Sequence, residues 1–271
     1  MINLVFYTNC QCRGIDFFLK KRLTEVTEVN TKHIENFTLI KDKLEIPIDV
    51  LKNTDLFIYQ PIDRKHGPYS TDPDISGGIM SYLPSDCKKI SFPYIYNSAL
   101  WVFIPPAAID GLIGEYVEVD KYENPQPIQR LKKLGHSLDE VLSMYSRGEI
   151  DFDYHNRFNK SIGILKEKEK HCDVKISDFI ERNIRKQKLF FTQNHPTTCV
   201  FIHCVNQILS ILGDDYMFDE TLYPNNICNL AGRHPHTSYD LRHWGFEYKE
   251  EYVNDGNYIV HIKNIYNNYN C

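Results

Sequence analysis

Two side chains in the sequence have the chemistry of a nucleophile and its base, and each comes directly after a short apolar run. Cys10 follows the run from Ile2 to Thr8, and His195 comes shortly after Leu189-Phe190-Phe191. A thiol placed just before a helix meets the positive end of the helix dipole, which would lower its pKa and favour the thiolate. The backbone amides of Cys10 and Gln11 could then hold an oxyanion. Together these residues predict a Cys–His pair for nucleophilic catalysis.

Both residues also have an ordinary structural interpretation. A free cysteine is commonly buried, so Cys10 could be a core thiol in a turn, and a single histidine after a strand is often structural. The paired interpretation is favoured because both residues follow apolar strands, and ligands bind at the carboxyl edge of an open parallel sheet. Pro196 suits the first position of a helix, which would make Asn194 its N-cap.

The surrounding pattern of elements predicts an α/β fold. Short apolar strands over residues 2–8, 37–40, 55–59 and 89–92 alternate with helices after Gly14 and over residues 70–83. Such alternation is typical of a mainly parallel sheet flanked by helices. From about Pro125 the sequence becomes helical and rich in Lys and Glu, with a capping-box pattern at Ser137 and Glu140.

Four segments follow from this pattern. Residues 1–124 form the first α/β half with the Asn-Cys-Gln turn, and residues 125–188 form a helical insertion. Residues 189–246 complete the α/β domain and carry the Asn-His-Pro motif. The Asp255-Gly256 pair predicts a hairpin turn, so residues 247–271 are expected to be a hairpin and tail.

Composition and charge exclude several classes of protein. The 271 residues include 31 Lys plus Arg and 36 Asp plus Glu, a net charge of −5, whereas dedicated nucleic-acid binders usually have a basic excess. The sequence has no apolar run that would predict a membrane span and no visible secretory leader. The eight cysteines form no repeating framework, which predicts reduced thiols and a cytoplasmic protein.

Further polar residues follow the predicted strands and could bind a substrate or an oxyanion, although each could equally cap a helix or form a turn. They are Asn9, Gln11, Gln60, Tyr69, Ser70, Tyr96 and Asn97. The loop residues Arg64, Lys65 and His66 could contact phosphate groups or simply be solvated. No metal is expected, because the possible ligands His195, Cys199 and His203 have apolar neighbours that favour core packing.

Short motifs in a consistent order resemble the WcbI family of polysaccharide-biosynthesis enzymes. The motifs are Asn9-Cys10-Gln11, Ile58-Tyr59-Gln60-Pro61, Tyr69-Ser70-Thr71-Asp72, Ile90-Ser91-Phe92-Pro93-Tyr94-Ile95-Tyr96-Asn97 and Asn194-His195-Pro196-Thr197, and residues 137–141 and 172–180 are also similar. The likeness extends from about residue 3 to about residue 245. It implies an SGNH-hydrolase-like fold, binding of coenzyme A, and acetyl transfer to a sugar hydroxyl of a capsular polysaccharide or its precursor.

Under this resemblance, Cys10 stands where SGNH hydrolases have their nucleophilic serine, and His195 stands where they have their catalytic histidine. Those enzymes usually place an aspartate three residues before that histidine, but this sequence has Thr192 there. Either another group orients His195, or His195 is not a full triad base. His236 is the reserve candidate for the base, since the family also carries a His-Pro element near this position.

The resemblance implies an O-acetyltransferase that uses acetyl-coenzyme A as acyl donor in capsular or surface polysaccharide biosynthesis. Its expected partners are acetyl-coenzyme A and a sugar or polysaccharide precursor, with no nucleic acid, and homo-oligomers are neither required nor excluded. The acetyl group could pass through a Cys10 thioester or go directly to the sugar. A carbohydrate esterase and a non-catalytic protein that binds coenzyme A or a glycan are the two alternatives.

Overall fold

Four parallel strands in the order β2-β1-β3-β4 form the sheet of the N-terminal half. The computed structural model describes residues 1–101, 126–227 and 233–269. Its strands are β1 (Ile2–Thr8), β2 (Val29–Glu35), β3 (Leu56–Tyr59), β4 (Lys88–Ser91), β5 (Phe190–Thr192) and β6 (His195–Pro196). The mainly parallel α/β sheet predicted from the sequence is confirmed.

Helices surround this sheet and fill the segment that follows it. Within the described residues, they are α1 (Cys12–Leu23), α2 (Asn36–Lys41), α3 (Ile48–Lys52), α4 (Gln126–Lys133), α5 (Leu138–Arg147), α6 (Tyr154–Glu169), α7 (Ser177–Asn183), α8 (Thr198–Leu212), α9 (Ser238–Trp244) and α10 (Asp255–Asn268). Short 3₁₀ helices lie at Arg64–Tyr69, Ile79–Tyr82 and Glu220–Leu222. The helical segment predicted to begin near Pro125 and the capping box at Ser137 and Glu140 are confirmed within the described residues.

The central strand β1 pairs with β2 on one side and β3 on the other. Its residues 4–7 are at most 1% exposed because the sheet is covered on both faces. Leu4 and Phe6 belong to the larger core, which includes residues of α1 and α8, whereas Val5 and Tyr7 belong to a second core with residues of α2 and α3. This double coverage explains the unbroken apolar run at the start of the sequence.

Two predicted elements of the N-terminal half are wrong. Residues 37–40 lie in helix α2, and the strand is the preceding segment β2, which is mostly polar because it forms an edge of the sheet. Residues 70–83 form only the short 3₁₀ helix Ile79–Tyr82. Gly77 has a φ of +71°, which ends any regular helix before it.

The predicted C-terminal hairpin is also wrong, since residues 255–268 form helix α10. The Asn254 side chain accepts a hydrogen bond from the Gly256 amide and caps this helix. Tyr258 and Ile262 are then buried four residues apart on one helix face. Asp255 and Gly256 therefore lie in the first turn of a helix.

The predicted boundary between residues 124 and 125 lies outside the described residues, as do Cys228 and Cys271.

Close packing between α1 and α8 depends on Gly14. A Cβ at this position would lie 2.4 Å from the ring of Phe201. We expect Gly14→Ala to destabilise the fold by about 1–3 kcal/mol, because the added methyl group overpacks this contact. Gly163→Ala is the matched control, since that glycine is helical and a Cβ there would meet nothing within 4 Å; it should stabilise by about 0.5–1 kcal/mol. Urea unfolding followed by circular dichroism measures both changes, and equal effects would contradict the packing argument.

Candidate active site

Cys10 lies in the turn that joins the central strand β1 to helix α1. Asn9 shapes this turn: its side-chain oxygen accepts a hydrogen bond from the Gln11 amide at 3.0 Å, and its carbonyl accepts one from the Cys12 amide at 3.2 Å. Helix α1 begins at Cys12. The Cys10 sulfur is therefore held at the carboxyl edge of the parallel sheet.

His195 reaches the same edge from a different part of the fold. It lies in β6, which pairs antiparallel with β5 in a separate two-stranded sheet. The expectation that its strand belongs to the parallel sheet is therefore wrong, and so is the expected N-cap, because α8 is capped at Thr197 and not at Asn194. The imidazole Nε2 nevertheless lies 3.9 Å from the Cys10 sulfur, and both side chains are half-buried. The predicted meeting of these two residues in space is found in the structure.

The Gln11 side chain joins the three chain segments that form the site. Its Nε2 group donates to the Ile95 carbonyl at 2.7 Å and to the Asn194 carbonyl at 2.9 Å. Its Oε1 atom accepts from the Ile95 amide and from the Gln60 side chain. Gln11 is 2% exposed and makes these bonds within the protein. The bond to the Asn194 carbonyl ties it to the loop that carries His195, and its role towards a substrate stays a prediction.

Gln60 and Asn97 extend this network. Gln60 Oε1 accepts from the Asn9 amide at 2.9 Å, so the ends of β1 and β3 are linked through side chains. The Asn97 amide donates to the Gln193 carbonyl at 2.9 Å, and Asn97 Oδ1 accepts from the Ala99 amide. Asn97 is fully buried, and its Nδ2 group has no hydrogen-bond partner in the described part of the chain. These contacts bring Asn9, Gln11, Gln60 and Asn97 to the site, mainly as supports for its loops.

The remaining predicted substrate and phosphate residues make other contacts. Tyr69 donates through its hydroxyl to the Leu44 carbonyl, Ser70 donates to the Ile62 carbonyl, and Tyr96 stacks on Tyr94. Their contacts fit the alternative role of shaping turns and packing. Arg64 pairs with Asp72 at 3.3 Å, and Lys65 is exposed on the same loop as His66.

The electrostatic environment of the Cys10–His195 pair does not favour the thiolate that the sequence predicts. Burial raises the pKa of the Cys10 thiol, and the Glu35 carboxylate raises it further, against the weaker opposing effects of the Cys10 amide and Arg13. Burial lowers the pKa of His195. The helix N-terminus does not produce a thiolate here, because burial of the sulfur outweighs the effect of the backbone amide. Near neutral pH the pair therefore rests as a thiol and a neutral imidazole, and His195 is suited to act as a general base.

Thr192 contacts the other side of the imidazole, where the sequence lacks the expected aspartate. Its hydroxyl oxygen lies 2.5 Å from His195 Nδ1 and 3.1 Å from Asn194 Oδ1. The three residues belong to the same short β5–β6 hairpin, in which Thr192 pairs directly with His195. A threonine three residues before a histidine gave no recognisable signal in the sequence, because only an acid was expected there.

The reserve base His236 lies in a buried cluster with two carboxylates. It is 1% exposed and stacks on Trp101 with ring centroids 5.1 Å apart. Its two ring nitrogens lie 3.8 Å from Asp240 and 4.0 Å from Glu250. These surroundings favour a structural role for His236, and its part as a reserve base stays a prediction.

His234, which the sequence analysis does not single out, interacts electrostatically with His195. Its amide donates to the Phe191 carbonyl of β5 at 2.8 Å, and its side chain is half-buried. Burial lowers the pKa of His234, and the charges of His195 and His236 lower it further. The Arg233-His234-Pro235-His236 run is the signal in the sequence that could have found it, but the sequence analysis takes His236 from this run as the reserve base.

The described residues contain neither a cluster of metal ligands nor a helix that could span a membrane. In the ranges 1–101, 126–227 and 233–269, no group of three or more His, Cys, Asp or Glu side chains could hold a metal ion. None of the helices in these ranges combines the length and apolar character needed to cross a membrane.

Comparison with known proteins identifies one family. Residues 3–215 match the family model of the polysaccharide biosynthesis enzyme WcbI. The fold is similar to a solved structure of WcbI, described as the native protein without a disulfide bond between coenzyme A and one of its cysteines. The TM-score is 0.64 at 18% sequence identity, over 92% of this chain and 80% of that chain. No curated protein matches the sequence significantly.

Proposed function

The chain belongs to the WcbI family of polysaccharide biosynthesis enzymes, and we propose that it transfers an acetyl group from coenzyme A to a sugar hydroxyl. The observation that carries this proposal is the 3.9 Å contact between the Cys10 sulfur and His195 Nε2. A thiol beside a neutral imidazole can take up an acyl group and pass it to a second nucleophile. Both side chains are half-buried, so part of their surface stays accessible to a thioester and an acceptor.

The first half-reaction uses His195 as base. The Cys10 thiol transfers its proton to Nε2 while the sulfur attacks the acetyl carbonyl, and the carbon–sulfur bond to coenzyme A then breaks. The imidazolium returns the proton to the leaving thiolate. Exchange of one thioester for another is nearly balanced in energy, so this step needs activation more than driving force.

The second half-reaction repeats the proton transfer with the acceptor. His195 takes the proton of the sugar hydroxyl as its oxygen attacks the Cys10 thioester, and collapse of the tetrahedral intermediate releases the sugar ester. The imidazolium then reprotonates the Cys10 sulfur. The Cys10 amide, which faces its own sulfur, is the proposed donor to the oxyanion. The Gln11 amide is a weaker candidate, because it already donates to Asn9.

The solved WcbI structure supports a coenzyme A thiol near a cysteine, because its description refers to a disulfide between coenzyme A and a cysteine. We propose that Cys10 is the corresponding cysteine in this chain. Arg64, Lys65 and His66 are the proposed contacts for the phosphate groups of coenzyme A. We further propose that the protein acts in the cytoplasm, where coenzyme A is available, on a precursor of a capsular or surface polysaccharide.

Binding and turnover with acetyl-coenzyme A test the proposed function. A ligand that binds the native state at a hundredfold excess over its dissociation constant should add about 2.7 kcal/mol of stability, which thermal unfolding detects as a raised Tm. We expect coenzyme A to give such a shift and sugar acceptors to gain acetyl groups. Free acetate without ester formation would instead indicate a hydrolase, and a Tm shift without acetyl consumption would indicate a binding protein.

A further inference from the structure

Thr192 stands where a carboxylate usually orients the catalytic histidine, and within the described residues the His195 ring is contacted on both sides. Thr192 Oγ1 lies 2.5 Å from Nδ1, and the Cys10 sulfur lies 3.9 Å from Nε2. We propose that Thr192 is a positioning residue whose hydroxyl keeps the imidazole proton on Nδ1, so that Nε2 presents its lone pair to Cys10. This inference rests on the Cys10–His195 pair of the proposed function but does not depend on the identity of the acyl donor.

The proton count of the hydrogen-bond chain carries this assignment. A hydroxyl has one proton to donate and lone pairs with which to accept. We assign the Thr192 proton to Asn194 Oδ1, which lies 3.1 Å away and can only accept, so the hydroxyl accepts from the imidazole. The proton of the neutral ring therefore lies on Nδ1, and Nε2 is unprotonated where it faces the sulfur.

The same contact becomes more important when His195 is charged. Transfer of the thiol proton to Nε2 gives a thiolate and an imidazolium that carries protons on both nitrogens. The Nδ1 proton then needs an acceptor, because a hydrogen bond to a charged group contributes more than one to a neutral group. Thr192 supplies that acceptor without a negative charge. An uncharged acceptor stabilises the imidazolium less than a carboxylate would, which suits a histidine that must return its proton to the leaving group.

Other charged and titratable groups near the pair lie on separate elements. Glu35 at the end of β2 and Arg13 in α1 form an ion pair at 3.7 Å and act on the Cys10 thiol. His234 lies in the segment before α9, and the charge of His195 lowers its pKa. Within the described residues, no hydrogen bond or ion pair joins Thr192 to any of these three side chains, so replacing Thr192 leaves their charges in place.

Alkylation of Cys10 by iodoacetamide tests the role of Thr192 without any acyl donor. The reagent forms a thioether at the sulfur and releases iodide, and peptide mass spectrometry measures the rate at Cys10 across a pH series. We expect Thr192→Val to slow the reaction at pH 7 by about tenfold or more, because the imidazolium loses its acceptor. At high pH, where hydroxide removes the thiol proton without His195, the two rates should converge.

Two variants separate this role from a general effect on folding. Thr192→Ser keeps a hydroxyl and should restore the wild-type profile. Thr54→Val removes a buried threonine hydroxyl that donates to the Val50 carbonyl on another element, and it should leave the Cys10 rate unchanged. A Thr192→Val profile that matches the wild type at pH 7, or differs equally at every pH, would overturn the proposal.

The tautomer can also be measured in the unmodified protein, which covers the case in which Thr192→Val fails to fold. Nitrogen-15 NMR of histidine-labelled protein, with His195→Gln for assignment, distinguishes a protonated from an unprotonated ring nitrogen. The proposal requires the proton of neutral His195 on Nδ1. A proton on Nε2 would overturn it, even if acetyl transfer is established, and the Nδ1 form would support it even if the acyl donor proves to be different.

Discussion

Replacing Cys10 by alanine is expected to abolish acetyl transfer, since the sulfur forms the bond to the acetyl group in the proposed reaction. Cys10→Ser keeps the shape of the turn but should lose most of the activity, because a hydroxyl ionises far less readily than a thiol. Transfer of radiolabelled acetyl from coenzyme A to a sugar acceptor measures both rates. Cys172→Ala is a suitable control, because that thiol is buried beside α6 and donates to the Lys168 carbonyl. Substantial activity in Cys10→Ala would favour direct transfer.

Replacing His195 by alanine should slow transfer by about 10²- to 10⁴-fold, the usual contribution of a general base. The loss applies to both half-reactions, because His195 takes the proton of the Cys10 thiol, whose pKa burial raises, in the first and that of the sugar hydroxyl in the second. Any acetyl-enzyme that forms in this variant should therefore persist. His155→Ala, an exposed histidine on α6, should retain wild-type activity.

The pH dependence follows from the direction of the His195 shift. Only the neutral imidazole accepts a proton, and burial lowers its pKa from 6.5. The wild-type rate should therefore stay high as the pH falls to 6.5 and decline only below that value. A rate that already falls between pH 8 and pH 7 would contradict a buried, neutral base.

The sequence predicted the parts of the site that depend on local apolar patterns. The central strand β1 is buried on both faces, so its apolar run identified the strand and the position of Cys10 at its end. The apolar run Leu189-Phe190-Phe191 before the Asn-His-Pro motif likewise identified His195. Edge strand β2 escaped prediction because its partly exposed residues are mostly polar.

Long-range hydrogen bonds account for what the sequence could not predict. The polar type of Gln11 suggested a substrate contact, yet its partners Ile95 and Asn194 are 84 and 183 residues away in the sequence. Cys10 precedes a helix, which favours a thiolate, but burial of the sulfur and the Glu35 carboxylate reverse that effect. The role of Thr192 depends on a hydroxyl contact that no residue-type pattern marks.

The mass of the protein after incubation with acetyl-coenzyme A and no acceptor tests the Cys10 thioester most directly. We expect one added acetyl group, located at Cys10 by peptide mapping, absent from Cys10→Ala, and lost when a sugar acceptor is added. A wild-type protein that stays unmodified, together with an active Cys10→Ala variant, would contradict the Cys10 thioester.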